Sequence, residues 1–167
     1  PFNGIPNFNR LTEKISELAA DNELLASHPK GGQTLGNNFK SVSCSVVHRK
    51  STLVPNALFD ENQKKVFLTF NFPLDAEEKV RSNNLKNIDA KNLFSLNLNL
   101  ENAVKKLFPT AQFLHHSTSL LESTLGIYKN QTGKKMMVHV QPSQFEIIVA
   151  EGKQLLFYNS FRHQSSE

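Results

Sequence analysis

The chain has 167 residues, 38% hydrophobic and 20% charged, with 13 Phe, 2 Tyr and no Trp, which is enough apolar mass for a core and excludes a disordered chain. The net charge of +4 is mild and comes in short clusters (His48-Arg49-Lys50, Lys64-Lys65, Lys105-Lys106, Lys134-Lys135), which read as solvated surface rather than as a nucleic-acid patch. The single Cys44 excludes an internal disulfide and fits a reducing compartment, and no apolar run approaches the roughly 20 residues of a membrane helix.

In chain order, residues 10–26 carry Leu11, Ile15, Leu18, Leu24 and Leu25 at near-helical spacing, with Asn9 placed to cap the start. A loop with Pro29, Gly31, Gly32 and Gly36 follows, over 27–38. In "FKSVSCSVVH" (39–48), Val42, Cys44 and Val46 alternate with serines, the period of a half-buried strand. Pro55 suits the first turn of a short helix over 55–59. "VFLTFNF" (66–72) reads as a strand, and 75–90, polar and Asn-rich, as irregular with at most one helical turn. "NLFSLNL" (92–98) alternates again and reads as a strand. Residues 100–108 read as a helix capped by Asn99 and ended by Pro109, 111–116 as a strand, and 118–127 as a helix stopped near Gly126.

The last segment reads as a meander of three strands, 134–140, 144–150 and 154–160, with turns at Gln141-Pro142-Ser143 and Glu151-Gly152-Lys153. Strands and helices alternate before residue 130, and strands run consecutively after it. That change of rhythm places a subdomain boundary near 130. The chain starts at Pro1 rather than Met, so it is expected to be a piece of a longer protein. No signal peptide is visible.

"STLVPNALFDEN" (51–62) and "VHVQPSQFEIIVAEGKQLLFYNSF" (138–161) resemble the bacterial domain-of-unknown-function 3822 family, over about residues 10–167. The most specific pieces are Ser51-Thr52-Leu53-Val54-Pro55 with Leu58-Phe59, and Leu155 to Phe161. The resemblance implies an α/β actin-like ATPase fold made of two ribonuclease-H-like subdomains, the second incomplete in this chain. Residues 1–130 would form the first, lacking its opening hairpin and carrying an insertion at about 50–90. Residues 134–167 would begin the second.

An active member of the actin-like ATPases needs a phosphate loop between the first two strands of each half: an Asp for the metal ion or its water, a Gly for close backbone approach, and a Thr or Ser donor. The corresponding stretch here carries His139, Gln141, Ser143 and Phe145. His139 suits Zn²⁺ or Cu²⁺ better than Mg²⁺, which prefers oxygen. Pro142 removes a donor N–H and restricts Gln141 before it. His139, Gln141 and Ser143 are thus the candidate nucleotide-binding residues of a degenerate loop. No catalytic residue and no cofactor is assigned, while ATP and Mg²⁺ stay open for the full-length protein.

Other motifs carry less. "KGGQTLG" (30–36) lacks the Lys-Ser/Thr of a P-loop and leaves a helix rather than entering one, and "TGKK" (132–135) lacks the upstream Gly. His115 and His116 are strand neighbours pointing to opposite faces, so no metal site is assigned to them. Cys44 reads as a buried strand residue. The expected function is that of a noncatalytic, cytoplasmic actin-like scaffold working through protein contacts, with an exposed sheet edge on which a second copy could pair. One alternative is an ATP-binding or ATP-hydrolysing protein whose phosphate loop lies outside this chain. The other is a basic RNA-binding accessory protein, for which Lys105, Lys106, Lys134 and Lys135 would have to share one face.

Overall fold

The computed structural model describes residues 40–162. The helix expected over 10–26 and the loop over 27–38 lie outside them. Packing divides the chain into two units.

Among the described residues, the first unit holds 40–44, 74–79 and 96–113. The helix expected over 100–108 lies here and spans Leu98–Leu107. Its cap is Asn97 rather than Asn99: the Asn97 Oδ1 accepts from the N–H groups of Asn99 (2.9 Å) and Leu100 (3.3 Å). Lys105 reaches back one turn to Glu101 at 2.7 Å. The helix ends before Pro109, as the restriction on a residue preceding proline requires.

The second unit holds 45–73, 80–95 and 114–162 among the described residues. Numbered through the whole described chain, the strands are β1 (Ser43–Val46), β2 (Ser51–Pro55), β3 (Glu78–Leu85), β4 (Ala90–Asn97), β5 (Gln112–His115), β6 (Lys134–Gln141), β7 (Gln144–Glu151) and β8 (Gln154–Arg162). The helices are α1 (Lys64–Thr69), α2 (Leu98–Leu107) and α3 (His116–Tyr128). Strand β1 pairs with β5, β4 lies between β2 and β3, and β7 lies between β6 and β8.

The meander matches the sequence reading strand for strand. Its ladders are antiparallel, with Val138 opposite Ile147, His139 opposite Glu146 and Gln141 opposite Gln144. On the far side, Glu146 faces Ser160 and Ile148 faces Tyr158, with an irregularity between Val149 and Ala150. Gly152 turns the second hairpin at φ 54°, the left-handed region that glycine enters without a Cβ clash. The outer face of β6 exposes Met136, Val138 and Val140.

Four readings change. Pro55 ends strand β2 and precedes a short 3-10 turn over Asn56–Leu58, instead of sitting inside a helix over 55–59. The 66–72 segment is helical, as α1 and the turn after it, because its inward residues are Lys64, Phe67, Leu68 and Phe72, at helical spacing. The apparent alternation of Val66, Leu68 and Phe70 is misleading, since Leu68 is wholly buried and Phe70 is 90% exposed. The Asn-rich 75–90 stretch contains β3, with Val80 and Leu85 inward. Helix α3 runs through Gly126 to Tyr128, where a glycine interior costs only about 1 kcal/mol against alanine.

The core of this unit joins Leu85 of β3, Ala90 of β4, Leu121 of α3 and Ile148 of β7, with Leu53, Met137, Leu155 and Tyr158 packed around them. Helix α3 buries Ser117, Thr118, Leu121, Thr124 and Leu125, one helical face. Its Glu122 clasps the β3–β4 turn, accepting from the N–H groups of Lys86 (2.5 Å) and Asn87 (3.1 Å). Strand β4 is buried on both faces from Asn92 to Leu96, as befits the middle of a sheet under a helix.

The helical assignment of 64–69 has a direct consequence. Leu68→Ala is expected to destabilise the protein by about 2–5 kcal/mol, and Phe70→Ala to change it by less than about 0.5 kcal/mol, both read by chemical denaturation. In a strand the two would share a face, and both substitutions would be costly.

Candidate functional site

Period-two alternation along the meander lays its inward side chains in rows. Gln141, Gln144 and Arg162 form the row at the turn end, and His139, Glu146 and Ser160 form the next. Met137, Ile148 and Tyr158 follow, inside the core. Helix α3 starts above these rows and sends His116 down onto Glu146.

Glu146 is 1% exposed. Its Oε2 lies 2.9 Å from His116 Nε2 and 3.1 Å from His139 Nδ1. Its Oε1 accepts from the Tyr158 hydroxyl at 2.7 Å. Burial alone would raise this carboxyl, but the contacts from His116, Tyr158 and His139 outweigh it and bring it down to about 2. Tyr158 moves the other way: burial and the adjacent carboxylate push its phenol well above the usual range.

A second polar group holds the start of α3. His115 caps the helix, and its Nδ1 accepts from the Ser117 hydroxyl (2.7 Å) and the Ser117 N–H (3.3 Å). Its Nε2–H therefore donates to the His48 carbonyl at 2.9 Å, which fixes the tautomer. Asn92 of β4 donates to Ser117 Oγ (2.8 Å) and Thr118 Oγ1 (2.9 Å), and Asn83 Oδ1 of β3 accepts from the His115 N–H (2.9 Å). Burial, then the charges of His116 and His48, lower His115 to about 3.

At the turn end a cleft of about 520 Å³ is lined by Val47, His48, Arg49, Lys50, Gln141, Ser143, Gln144 and Arg162. The Arg49 Nε is buried without a hydrogen-bond partner, and burial together with the Arg162 charge lowers the guanidinium's pKa. The turn itself is closed by its own side chains: Gln144 Nε2 donates to Gln141 Oε1 at 3.0 Å, and Gln141 Nε2 lies 3.4 Å from His139 Nδ1.

Of the three candidate residues, Gln141 and Ser143 line the cleft, while His139 turns to Glu146 instead. Phe145, at the position where a hydroxyl would be wanted, stacks on Phe161 with ring centroids 5.2 Å apart. His115 and His116 bond different partners, yet their rings lie 4.4 Å apart rather than on opposite faces, because the chain turns from strand to helix between them. Glu146, Tyr158, Arg49 and Arg162 were not singled out from sequence. For Glu146 the signal is the alternation of 144–150, in which it shares a face with Ile148 and Ala150. Lys134 and Lys135 are neighbours on β6 and so take opposite faces. Cys44 is half-buried in β1, and burial raises its thiol.

The family described as "Protein of unknown function (DUF3822)" matches residues 11–167. No curated protein matches the chain. Among solved structures, a Bacteroides thetaiotaomicron VPI-5482 protein described as having an "actin-like ATPase fold and unknown function" is 24% identical, with a TM-score of 0.76. The similarity covers 93% of this chain and 56% of that one, so the chain spans little more than half the length of that protein. The likeness establishes the actin-like ATPase fold that the sequence resemblance implied. No helix among the described residues is long and apolar enough to cross a membrane.

The neutral His115 sets a pH dependence. Its folded pKa lies below the ordinary 6.5, so between about 6.5 and about 3 the unfolded chain takes up a proton that the folded chain refuses. Its contribution to stability is complete above pH 6.5 and is lost as pH falls toward 3. Glu146 adds loss in the same direction only between 4.5 and about 2. Thermal unfolding should therefore weaken already between pH 6.5 and 4.5, and His115→Gln should flatten that part of the profile while lowering stability at neutral pH. A wild-type profile level over this range contradicts the assignment.

Proposed function

The chain belongs to the DUF3822 family, and on that premise we propose that it is a noncatalytic, cytoplasmic actin-like protein that acts through contacts with other proteins. One observation carries this reading. The turn between β6 and β7, where the fold would place a phosphate loop, has no carboxylate and no glycine, and Gln141 and Gln144 bond each other across it. The nearest carboxylate, Glu146, is buried and engaged by two imidazoles and a phenol. Mg²⁺–triphosphate chemistry wants a carboxylate and close backbone donors at this point, and the turn has no carboxylate while Pro142 removes one N–H. On this reading residues 1–130 belong to the first half of the fold and 134–167 open the second, and the partners include a second copy of the chain.

A second reading is favoured by the cleft. Arg49, Lys50 and Arg162 gather around one concavity with Gln141 and Ser143, an arrangement suited to an anion such as a phosphate group, bound without being hydrolysed.

Calorimetric titration with ATP and ADP, with and without Mg²⁺, separates these readings. The contact-only reading predicts no heat up to millimolar nucleotide and no phosphate release. Binding that is indifferent to Mg²⁺ and weakened by Arg162→Ala supports the anion cleft. Micromolar binding that requires Mg²⁺, with turnover, overturns the noncatalytic reading.

A further inference from the structure

We propose that His116, His139 and Glu146 form a binding site for a divalent transition-metal ion, Zn²⁺ above all, which clamps the start of α3 onto the β6–β7 hairpin. The donor atoms of the three residues lie within 4.8 Å of one another. They come from three elements: His116 from the first residue of α3, His139 from β6, and Glu146 from β7 directly opposite His139 in the ladder. Two imidazoles and one carboxylate are a recurrent protein set for zinc, which takes three such ligands and keeps a fourth position for water. The nitrogen donors disfavour Mg²⁺ and Ca²⁺.

The hydrogen-bond pattern around the site points the same way. His116 Nδ1 lies 3.3 Å from the Val46 carbonyl, which can only accept. A neutral His116 that donates there presents a bare Nε2 lone pair to the Glu146 carboxylate, 2.9 Å away. At His139, the Gln141 amide has its oxygen committed to Gln144, so its Nε2 faces His139 Nδ1 as a donor. An Nδ1 that accepts from it also presents a lone pair to Glu146, at 3.1 Å. When a metal ion replaces the imidazole protons that otherwise hydrogen-bond Glu146, two imidazole lone pairs and a carboxylate oxygen converge on one point. A cation at that point satisfies all three at once.

The surroundings are those of a metal centre. The Val46 carbonyl orients His116 through its remote nitrogen, and the Tyr158 hydroxyl holds the other Glu146 oxygen at 2.7 Å. Such outer contacts fix ligand tautomer and direction. The His139 side chain is 40% exposed, which gives an ion a way in from solvent, while the Glu146 side chain at 1% and His116 at 9% make the interior wall. The clamp is independent of nucleotide, so it stands or falls apart from the function proposed above.

The test uses the chain stripped with a chelator and titrated with Zn²⁺ by calorimetry, with thermal unfolding followed in parallel. One ion should bind per chain and raise the melting temperature. His139→Ala, at a half-exposed strand position that tolerates truncation, should abolish that binding, as should Glu146→Gln. Tyr158→Phe should weaken it about 10- to 100-fold as a positioning residue. Glu151→Gln, an exposed carboxylate at the far end of β7, should leave it unchanged. Co²⁺ in place of Zn²⁺ should give the intense visible absorption of a four-coordinate nitrogen–oxygen site in the wild-type protein, which requires no variant to fold. Absence of saturable binding, or binding equally strong in His139→Ala, overturns the proposal.

Discussion

The start of α3 is held by buried polar groups rather than by apolar packing, and the arrangement of the second unit follows from that. His115 caps the helix through its Nδ1 and donates from its Nε2 to the His48 carbonyl, so both ring nitrogens are engaged without any net charge. Ser117 then accepts from Asn92, and Asn83 accepts from the His115 N–H. A buried network of this kind is stabilising to the extent that its members find partners, because each lone buried polar group costs about 1–3 kcal/mol; here the Asn92 Oδ1 is left without one. The pairing thus fixes the angle and depth at which the helix enters. Leu121 can then reach the core formed with Leu85, Ala90 and Ile148, and Leu125 is buried on the same helix.

The same entry geometry aims His116 at Glu146. One turn of chain therefore serves two purposes: His115 faces back toward His48 and holds the helix, while His116 faces the meander and meets its only inward carboxylate among β6–β8. The meander contributes its share through register. Antiparallel pairing sets His139 opposite Glu146, and the β7–β8 ladder brings Tyr158 within reach of the other carboxylate oxygen. The row nearest the turn, Gln141, Gln144 and Arg162, opens on the cleft instead. Function in this unit is consequently read from rows across the sheet, where neighbours in space are several residues apart in sequence.

That geometry explains what was legible in the sequence. The three meander strands are legible, because two short turns divide the apolar segment after residue 134 into three pieces of strand length. The helix at 98–107 is legible over 100–108 from an asparagine cap and the stop at Pro109, although the cap is Asn97 rather than Asn99. The 66–72 segment was not, since Val66, Leu68 and Phe70 imitate a strand while Phe67, Leu68 and Phe72 carry the burial. Strand β3 was hidden because Asn83, polar and loop-like by type, serves as an internal acceptor. Glu146 is hidden for a similar reason: Phe145, Ile147 and Val149 look like the core face, yet the structure buries Glu146, Ile148 and Ala150 more deeply. His139, Gln141 and Ser143 were found from the turn they flank, but their partners on α3, β7 and β8 depend on tertiary register that no local pattern reports.

The central claim is that a neutral His115, locked in one tautomer, holds the start of α3. Nitrogen-detected magnetic resonance of the histidine rings tests it most directly, at a pH between the folded value of about 3 and the ordinary 6.5. The account predicts that the His115 ring remains neutral with its proton on Nε2 while exposed histidines have become imidazolium. A His115 that titrates with them, or that carries its proton on Nδ1, would contradict it.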